Sequence, residues 1–394
     1  MKDFTMVIPS YWGAAERASK ESDEIVFDHP TLLEEEGTLG RLLESLEIFG
    51  EFAGAVVIIS AANAPQIVDE VEAKVESIIK PFRDRFAIAQ ISQRTVEIIK
   101  QNLTEQGVSE AALKLVNLDN YAAVRNMCSL AGILNGSRYT IFIDDDEVFT
   151  DPDFLNKVAE SMSCRIDGKQ IEALAGYYLQ PDTYRLDDTK VPTWRAPYWN
   201  NTVSMNRAFD QIIGRGDRLK PTPFVFGGNM TLSLEAVKQV PFDPRITRGE
   251  DIDFLLNLRI HGITFYLDRE LSIKHLPPPS AQSAWKKFRE DALRFLYERK
   301  KVTDHAELKL ADLQPYPGEF LGDDLEDRIE KTCTLLKQEY QAQSDEQEAH
   351  ECDKIITLLQ EKSWEQIDTK TWLQEITAYW QECTAPAVGL GIPG

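Results

Sequence analysis

The stretch IFIDDDEVF, residues 141–149, sets three consecutive carboxylates directly behind three apolar residues. Adjacent anions repel, so a plain surface turn gains little from this order. A divalent cation, a catalytic carboxylate or a helix N-terminus would each give it a reason. An apolar strand ending in DDDE brings its acids to the carboxyl edge of a sheet, where open α/β folds bind ligands. Along an extended segment Asp144 and Asp146 point one way and Asp145 the other, so the first and third can share an ion. Carboxylate oxygens suit hard cations such as Mg²⁺ and Mn²⁺, which keep positions open for phosphate oxygens. The plain alternative is a turn at Asp146 or Glu147, followed by a helix in FTDPDFLNKVAE capped by Thr150 or Asp151. It accounts for the later acids and not for the first two.

Short apolar runs flank this stretch on its N-terminal side: FTMVIP (4–9), GAVVIIS (54–60), FAIAQIS (86–92) and YTIFID (139–144). Each reads as a strand buried on both faces, the mark of a parallel sheet. Apolar residues at helical spacing lie between them, in TLGRLLESLEIF (38–49), PQIVDEVEAKVESIIKPF (65–82), SEAALKLV (109–116) and YAAVRNMCSLAGIL (121–134). The expected fold class is α/β, a mostly parallel sheet flanked by helices. The acidic segment from Trp12 to Gly37 is long for a β-to-α connection and reads as an extended loop or lid.

Between about 171 and 235 the pattern is irregular and aromatic, as pocket walls often are. RGEDIDFLLNLRIHG (248–262) then reads as a polar entry into an amphipathic helix stopped by Gly262, followed by the strand ITFYLD (263–268) and by SIKHLPPP (272–279). Beyond the prolines, amphipathic helices are expected over 285–301, 325–340, 352–360 and 369–380, with Leu325, Ile329, Cys333, Leu336 and Tyr340 on one stripe. The chain therefore divides into residues 1–280 and a helical C-terminal region, 281–394.

Of the 394 residues 43% are hydrophobic, enough for a large core, and the net charge is −22. That charge repels nucleic-acid phosphates and anionic lipid. The five cysteines are scattered without a CxxC pair, which argues against a zinc ribbon or a disulfide scaffold and for a reducing cytoplasm. The N-terminus lacks the signature of a signal peptide, and no apolar run reaches the roughly 18 residues of a membrane span.

Several of these segments, taken in order, resemble the GT-A glycosyltransferases, in particular the family 2-like group. VIPSYW (7–12) is similar to that group's first strand, TLGRLLESL (38–46) to its first helix, and the Arg-Asn helix before IFIDDD to the approach to its Asp-x-Asp motif. FGGNMTLSLEAVKQV (226–240) is similar to its sugar-facing Gly-Gly segment, GED (249–251) to its acceptor-side motif, and His275 to a histidine that completes the metal site in part of the superfamily. The resemblance covers about residues 4–280. It implies a GT-A, Rossmann-like fold and transfer of a single sugar, a hexose by preference, from a nucleoside-diphosphate sugar to a small or soluble hydroxyl acceptor. Pro9, Ser10 and Tyr11 would then line the nucleotide pocket, Arg125 would approach the nucleotide or its phosphates, and Asp144 and Asp145 would lie on the nucleotide side. Asp146 and His275, with Asp144, would hold Mn²⁺ or Mg²⁺. Gly227, Gly228 and Asn229 would face the sugar. Asp251 would be the base of an inverting reaction, with Glu250 holding a hydroxyl.

Each residue also has a plainer reading. Glu250 or Asp251 can cap a helix, Gly-Gly-Asn can be a turn, and Trp194, Tyr198 and Trp199 can form a buried cluster as readily as a sugar platform. VIISAANAP (57–65) lacks the acid that many relatives carry after the second strand, so the nucleoside stays open. No Gln-x-x-Arg-Trp motif of processive synthases is present. IFIDDDEV also fits hhhhDxDxV, the pattern of haloacid-dehalogenase-like phosphatases, with Asp144 as nucleophile and Asp146 as general acid. A non-catalytic carbohydrate-binding protein on a degenerate transferase fold is the third possibility. The helical tail is a candidate for homo-oligomerisation.

Overall fold

In the first half of the chain, apolar strands alternate with helices that cover them. A computed structural model describes residues 2–14, 27, 30–50, 52–278, 282–388 and 390–393. It begins with β1 (Lys2–Gly13), β2 (Thr31–Leu32), α1 (Leu39–Ser45), β3 (Ala55–Ala62), α2 (Val68–Ile79) and β4 (Ala87–Ile91). α3 (Gln93–Glu105), α4 (Glu110–Leu113), α5 (Tyr121–Leu134), β5 (Ser137–Phe142), β6 (Glu147–Val148) and α6 (Phe154–Ser163) follow. The middle holds a small ribbon, β7 (Arg165–Ile166) with β8 (Lys169–Gln170), then β9 (Ala173–Leu179), α7 (Asn201–Ile212), β10 (Leu219–Pro221) and β11 (Met230–Ser233). α8 (Leu234–Gln239), α9 (Glu250–Ile260) and β12 (Phe265–His275) precede four long helices, α10 (Ala284–Asp304), α11 (Leu325–Ala342), α12 (Glu346–Glu361) and α13 (Thr369–Ala387).

The main sheet runs β10-β12-β9-β11-β5-β1-β3-β4, with β2 joined to β1 and β6 to β12. β5, β1, β3 and β4 pair in parallel, as do β9 and β12, while β11 runs antiparallel between β5 and β9. Period two along the strands sorts their side chains into two cores. Val7, Val57, Ile59 and Phe142 pack with α3, α5, α8 and the C-terminal helices. Met6, Ile8, Val56, Ile58 and Ile141 pack with α1, α2 and α6. The result is an α/β sandwich of three layers. After β4 the chain returns to place β5 on the other side of β1, so the carboxyl ends of β1 and β5 form the reversal point at which such sheets open a crevice.

Several expectations change. β5 stops at Phe142, and Glu147 N donates to Asp144 O (3.2 Å), so the acids lie on a turn and not on extended strand. α6 begins at Phe154, beyond both anticipated caps. Three helices were not anticipated: α3, capped by Ser92, α7, capped by Asn200 within the segment read as loop, and the short α8, capped by Ser233. ITFYLD and SIKH belong to one strand with an irregularity between Leu267 and Ser272. Within Trp12–Gly37, Trp12 and Gly13 pair with Thr31 and Leu32, and residues 15–26 and 28–29 lie outside the described residues.

α9 is buried on nearly every side and is not amphipathic in the usual sense. Its polar pair, Asp253 and Asn257, meets Lys301 of α10. Lys301 Nζ, fully buried, donates to Asp253 (2.7 and 2.9 Å), Asn257 Oδ1 (2.9 Å) and Asp243 (3.0 Å). Asp243 also accepts from Tyr297 Oη (2.7 Å) and Trp372 Nε1 (3.0 Å), tying α10 and α13 to the sheet half. Phe254, Phe295, Ile329 and Trp380 share one hydrophobic cluster, so the core continues across residue 280. Among the described residues no helix is long and apolar enough to cross a membrane. Lys301→Met removes the cation from two buried carboxylates, and breaking such a network costs about 3–5 kcal/mol. Urea unfolding should show a loss of that size, whereas Lys331→Met, at an exposed pair with Asp327, should leave the unfolding midpoint unchanged.

Candidate functional site

A cavity of about 420 Å³ opens at the carboxyl ends of β1, β5, β9 and β12. Tyr11, Arg125, Asp144, Asp145, Asp146, Gly227, Glu250, Asp251 and His275 all line it. Residues as far apart in the chain as Tyr11 and His275 thus face one space because the strand ends do.

The turn separates the acids. Asp144 receives Arg125 on both oxygens (2.7 and 3.1 Å), and the same buried guanidinium donates through Nε to Glu250 (3.1 Å). Asp145 accepts from Ser10 Oγ (2.6 Å), a bond that ties the end of β1 to the end of β5. Burial and the adjacent Asp146 charge push the Asp145 carboxyl up to about 7. Asp146 Oδ2 lies 3.3 Å from His275 Nε2. The backbone supports that pairing, since Leu276 N donates to Asp146 O (2.9 Å). Asp144 and Asp146 therefore take different partners within the protein.

The glycines are required by crowding. A Cβ on Gly228 would lie 2.2 Å from Glu147 Oε1 and 2.7 Å from Asp144 Oδ2, and one on Gly227 would lie 2.7 Å from Arg125 Nη2. Their amides are also used: Gly227 N donates to Asp251 Oδ2 (3.1 Å) and Gly228 N to Tyr178 Oη (2.9 Å). Asp251 Oδ1 accepts from Ile252 N (2.8 Å), so both its oxygens are held by backbone at the start of α9. Burial and the neighbouring Glu250 push Asp251 up to about 6, with Arg294 and Arg125 opposing.

Pro9, Ser10, Gly228 and Asn229 stand apart from the cavity lining. Pro9 is buried in register with Ile59, and Ser10 acts through Asp145. The Asn229 amide donates to the carbonyls of Tyr177 (3.1 Å) and Leu271 (3.2 Å), knitting β9 to the irregularity in β12. Trp194 and Trp199 are buried against Phe288, while Tyr198 is exposed beneath Lys331.

Three contributors escaped the sequence reading. Tyr178 stacks on His275 (4.5 Å between centroids) and hydrogen-bonds to Glu147, which is fully buried and also accepts from Asp144 N (3.2 Å). Arg294 reaches the cavity from α10. Tyr178 lies in GYYLQ, where aromatic content marked a wall, but Glu147 and Arg294 sit in patterns that read equally as a turn and a surface helix.

Whether these groups suit a divalent cation is tested by their free valences. Asp146 Oδ1 is buried without a hydrogen-bond partner, as is Glu147 Oε1. As placed, the Gln180 amide nitrogen donates to His275 Nδ1 (2.9 Å), which puts the neutral ring's proton on Nε2; with the amide turned to present its oxygen, the proton sits on Nδ1 and Nε2 has a lone pair for an ion. Among the described residues no cluster of three or more His, Cys, Asp or Glu side chains forms a ready cage. Mg²⁺ and Mn²⁺ need no such cage when phosphate oxygens complete the shell, so the Asp146–His275 pair fits an ion that arrives with a diphosphate.

No protein-family model matches the sequence, and comparison with curated proteins finds no match. Among solved structures, the chain is similar to the mannosyltransferase PcManGT from Pyrobaculum calidifontis in complex with GDP-Man and Mn²⁺, at TM-score 0.46 and 11% identity over 98% of this chain and 86% of that one. It is also similar to a mycobacterial protein at TM-score 0.41 and 11% identity, over 76% and 74% of the two chains.

The crowding at Gly228 gives a direct test of the site's construction. Gly228→Ala must displace the Glu147 or Asp144 carboxylate, an overpacking worth about 1–3 kcal/mol. Scanning calorimetry should show a lower thermal midpoint than that of the wild-type chain.

Proposed function

We propose that the chain is a metal-dependent glycosyltransferase of the GT-A type, which moves one sugar, a hexose by preference, from a nucleoside-diphosphate sugar to a hydroxyl acceptor with inversion. One observation carries this reading: the Asp146–His275 pair and the backbone-held Asp251 open on the same cavity at the β1/β5 reversal point. A cavity of this size accommodates a small ligand.

Asp146 and His275 would hold the Mn²⁺ or Mg²⁺, which supplies charge for the diphosphate oxygens as the sugar leaves. Arg125 acts through others: by gripping Asp144 and Glu250 it fixes the turn and the start of α9 relative to one another. Tyr11, in van der Waals reach of Phe27 and Tyr121, forms the aromatic wall on the nucleotide side. In the transfer, the acceptor oxygen bonds to the anomeric carbon while the bond from that carbon to the diphosphate oxygen breaks, its electron pair staying with the diphosphate. The hydroxyl proton passes to Asp251, whose carboxyl near 6 is ionised at neutral pH and still basic enough to receive it.

The phosphatase reading needs Asp144 as a nucleophile. With a guanidinium on both oxygens, Asp144 is a poor one, and this weighs against that reading.

Titration of UDP and GDP with and without Mn²⁺, followed by thermal stability, tests the proposal. One nucleoside diphosphate should raise the midpoint only with metal, and Asp146→Ala should abolish that rise. Stabilisation that is indifferent to metal would remove the metal assignment. Asp251→Asn should keep binding and lose turnover by about 10²-fold or more. Because the base works ionised, kcat/KM in the wild type should fall as the pH drops through about 6 and level off above it. A profile flat from pH 5 to 8 would overturn the base assignment.

A further inference from the structure

One wall of the cavity is built without any strand. It consists of Asn201 from α7, Arg248 from the loop before α9, Asp291 and Arg294 from α10, and Tyr316 from the turn beyond. Arg248 pairs with Asp291 and keeps about a third of its side chain exposed (32%). Arg195 stands behind, donating to Asn201 Oδ1 and the Trp199 carbonyl, with Asp291, Arg248 and Tyr316 in its field. Three guanidinium groups thus gather around the single carboxylate of Asp291.

Arg294 is the least satisfied of them. It is 5% exposed, yet its Nε has no acceptor, and its other contacts are long: 3.4 Å to Glu298, 3.3 Å to Tyr316 Oη and 4.0 Å to Asp291. Burial pushes the Glu298 carboxyl up to about 8, so at neutral pH it is an incomplete counter-ion. Asp251, the remaining acid near Arg294, is already held by the amides of Gly227 and Ile252. A buried guanidinium with an unmade hydrogen bond on a cavity wall is costly unless something supplies an anion there. Gly249, at φ +74°, keeps the place clear, because a Cβ at that position would lie 2.7 Å from Arg294 Nε.

We infer that the acceptor is itself anionic, a small molecule bearing a carboxylate or phosphate beside its reactive hydroxyl, and that Arg248 and Arg294 bind that anion. The inference rests on the transferase reading, since it assigns the acceptor end of the same cavity. With the anion on the arginines, the hydroxyl falls on the side of Asp251, and the anionic group passes through the reaction unchanged. The wall is made for two hydrogen-bonding cations, so neutral isosteres of the same shape lose both contacts.

Calorimetry on the full chain with Mn²⁺ and UDP or GDP tests this. Lactate and glycerol 3-phosphate are titrated beside their neutral counterparts, propane-1,2-diol and glycerol. At least one anion should bind tenfold or more tighter than its neutral partner, and the tighter anion distinguishes carboxylate from phosphate. Arg248→Gln should weaken that anion by about tenfold, as expected for one charge-assisted hydrogen bond, while leaving the nucleoside-diphosphate affinity within twofold. Arg294→Lys, which keeps the charge and shortens the reach, serves where loss of the buried group disturbs folding and should weaken the anion as well. Equal binding of anions and neutral partners, or full anion affinity in both variants, overturns the inference even if nucleotide binding is normal. Anion binding that depends on Arg248 in a chain that binds neither nucleoside diphosphate would sink the transferase reading and leave the anion site standing.

Discussion

The guanidinium of Arg125 is the constraint on which the rest of the site depends. Its helix, α5, is buried along almost its whole length, and the side chain, 4% exposed, meets only the cavity. A buried cation must be paired, and the pairing reaches two elements far apart in sequence, the turn after β5 through Asp144 and the start of α9 through Glu250. At these separations each contact is worth several kcal/mol before desolvation, of the order of 5 at an effective dielectric of about 20. The consequence is positional: the Asp146–His275 pair and Asp251 are mounted on the two elements that Arg125 joins.

Close approach is the second condition, and it follows from the first. Carboxylates drawn toward one guanidinium leave no room for side chains on the strand entry that passes between them, and Gly227 and Gly228 supply that room. Their amides then become donors, to Asp251 and to Tyr178, so the same backbone that makes space also orients the Asp251 carboxylate and the ring stacked on His275. Glu147 completes the set by capping the amide of Asp144 from inside the turn.

What the sequence revealed about this arrangement depended on how local the signal was. The parallel strands were legible because Val, Ile and Phe runs buried on both faces carry their own signature, and the helix at Glu250 was legible from its acidic start and its Gly262 stop. The cavity's membership was legible through Asp146, His275, Arg125 and Asp251, residue types whose chemistry is conspicuous. The turn was not, because Asp144–Glu147 obeys a non-local demand: Asp144 turns toward Arg125, nineteen residues earlier, and Glu147 is drawn inward by β6 pairing with β12. Asp253 and Asn257 misled for the same reason. Four residues apart on one helix face, they imitate a solvated stripe, and only the arrival of Lys301 from α10 makes them interior.

That arrival changes how the tail is understood. α10 carries Lys301, which locks α9 from behind, and two to three turns earlier Arg294 and Asp291, which line the cavity. One helix therefore has a structural end and a chemical end, and the structural end fixes the chemical one in place. On the transferase reading proposed above, the donor side would rest on strand ends of the sheet, and the choice of acceptor would fall on helices and loops attached to it. Substitutions along α10 between residues 291 and 295 would then alter which acceptor fits while β1, β5 and β12 keep the opposite side intact. The buried lysine contributes to this division, because its contacts with Asp253 and Asn257 add a polar lock on α9 to the apolar packing of Phe295 and Leu296, and the two together fix the arginines in the cavity.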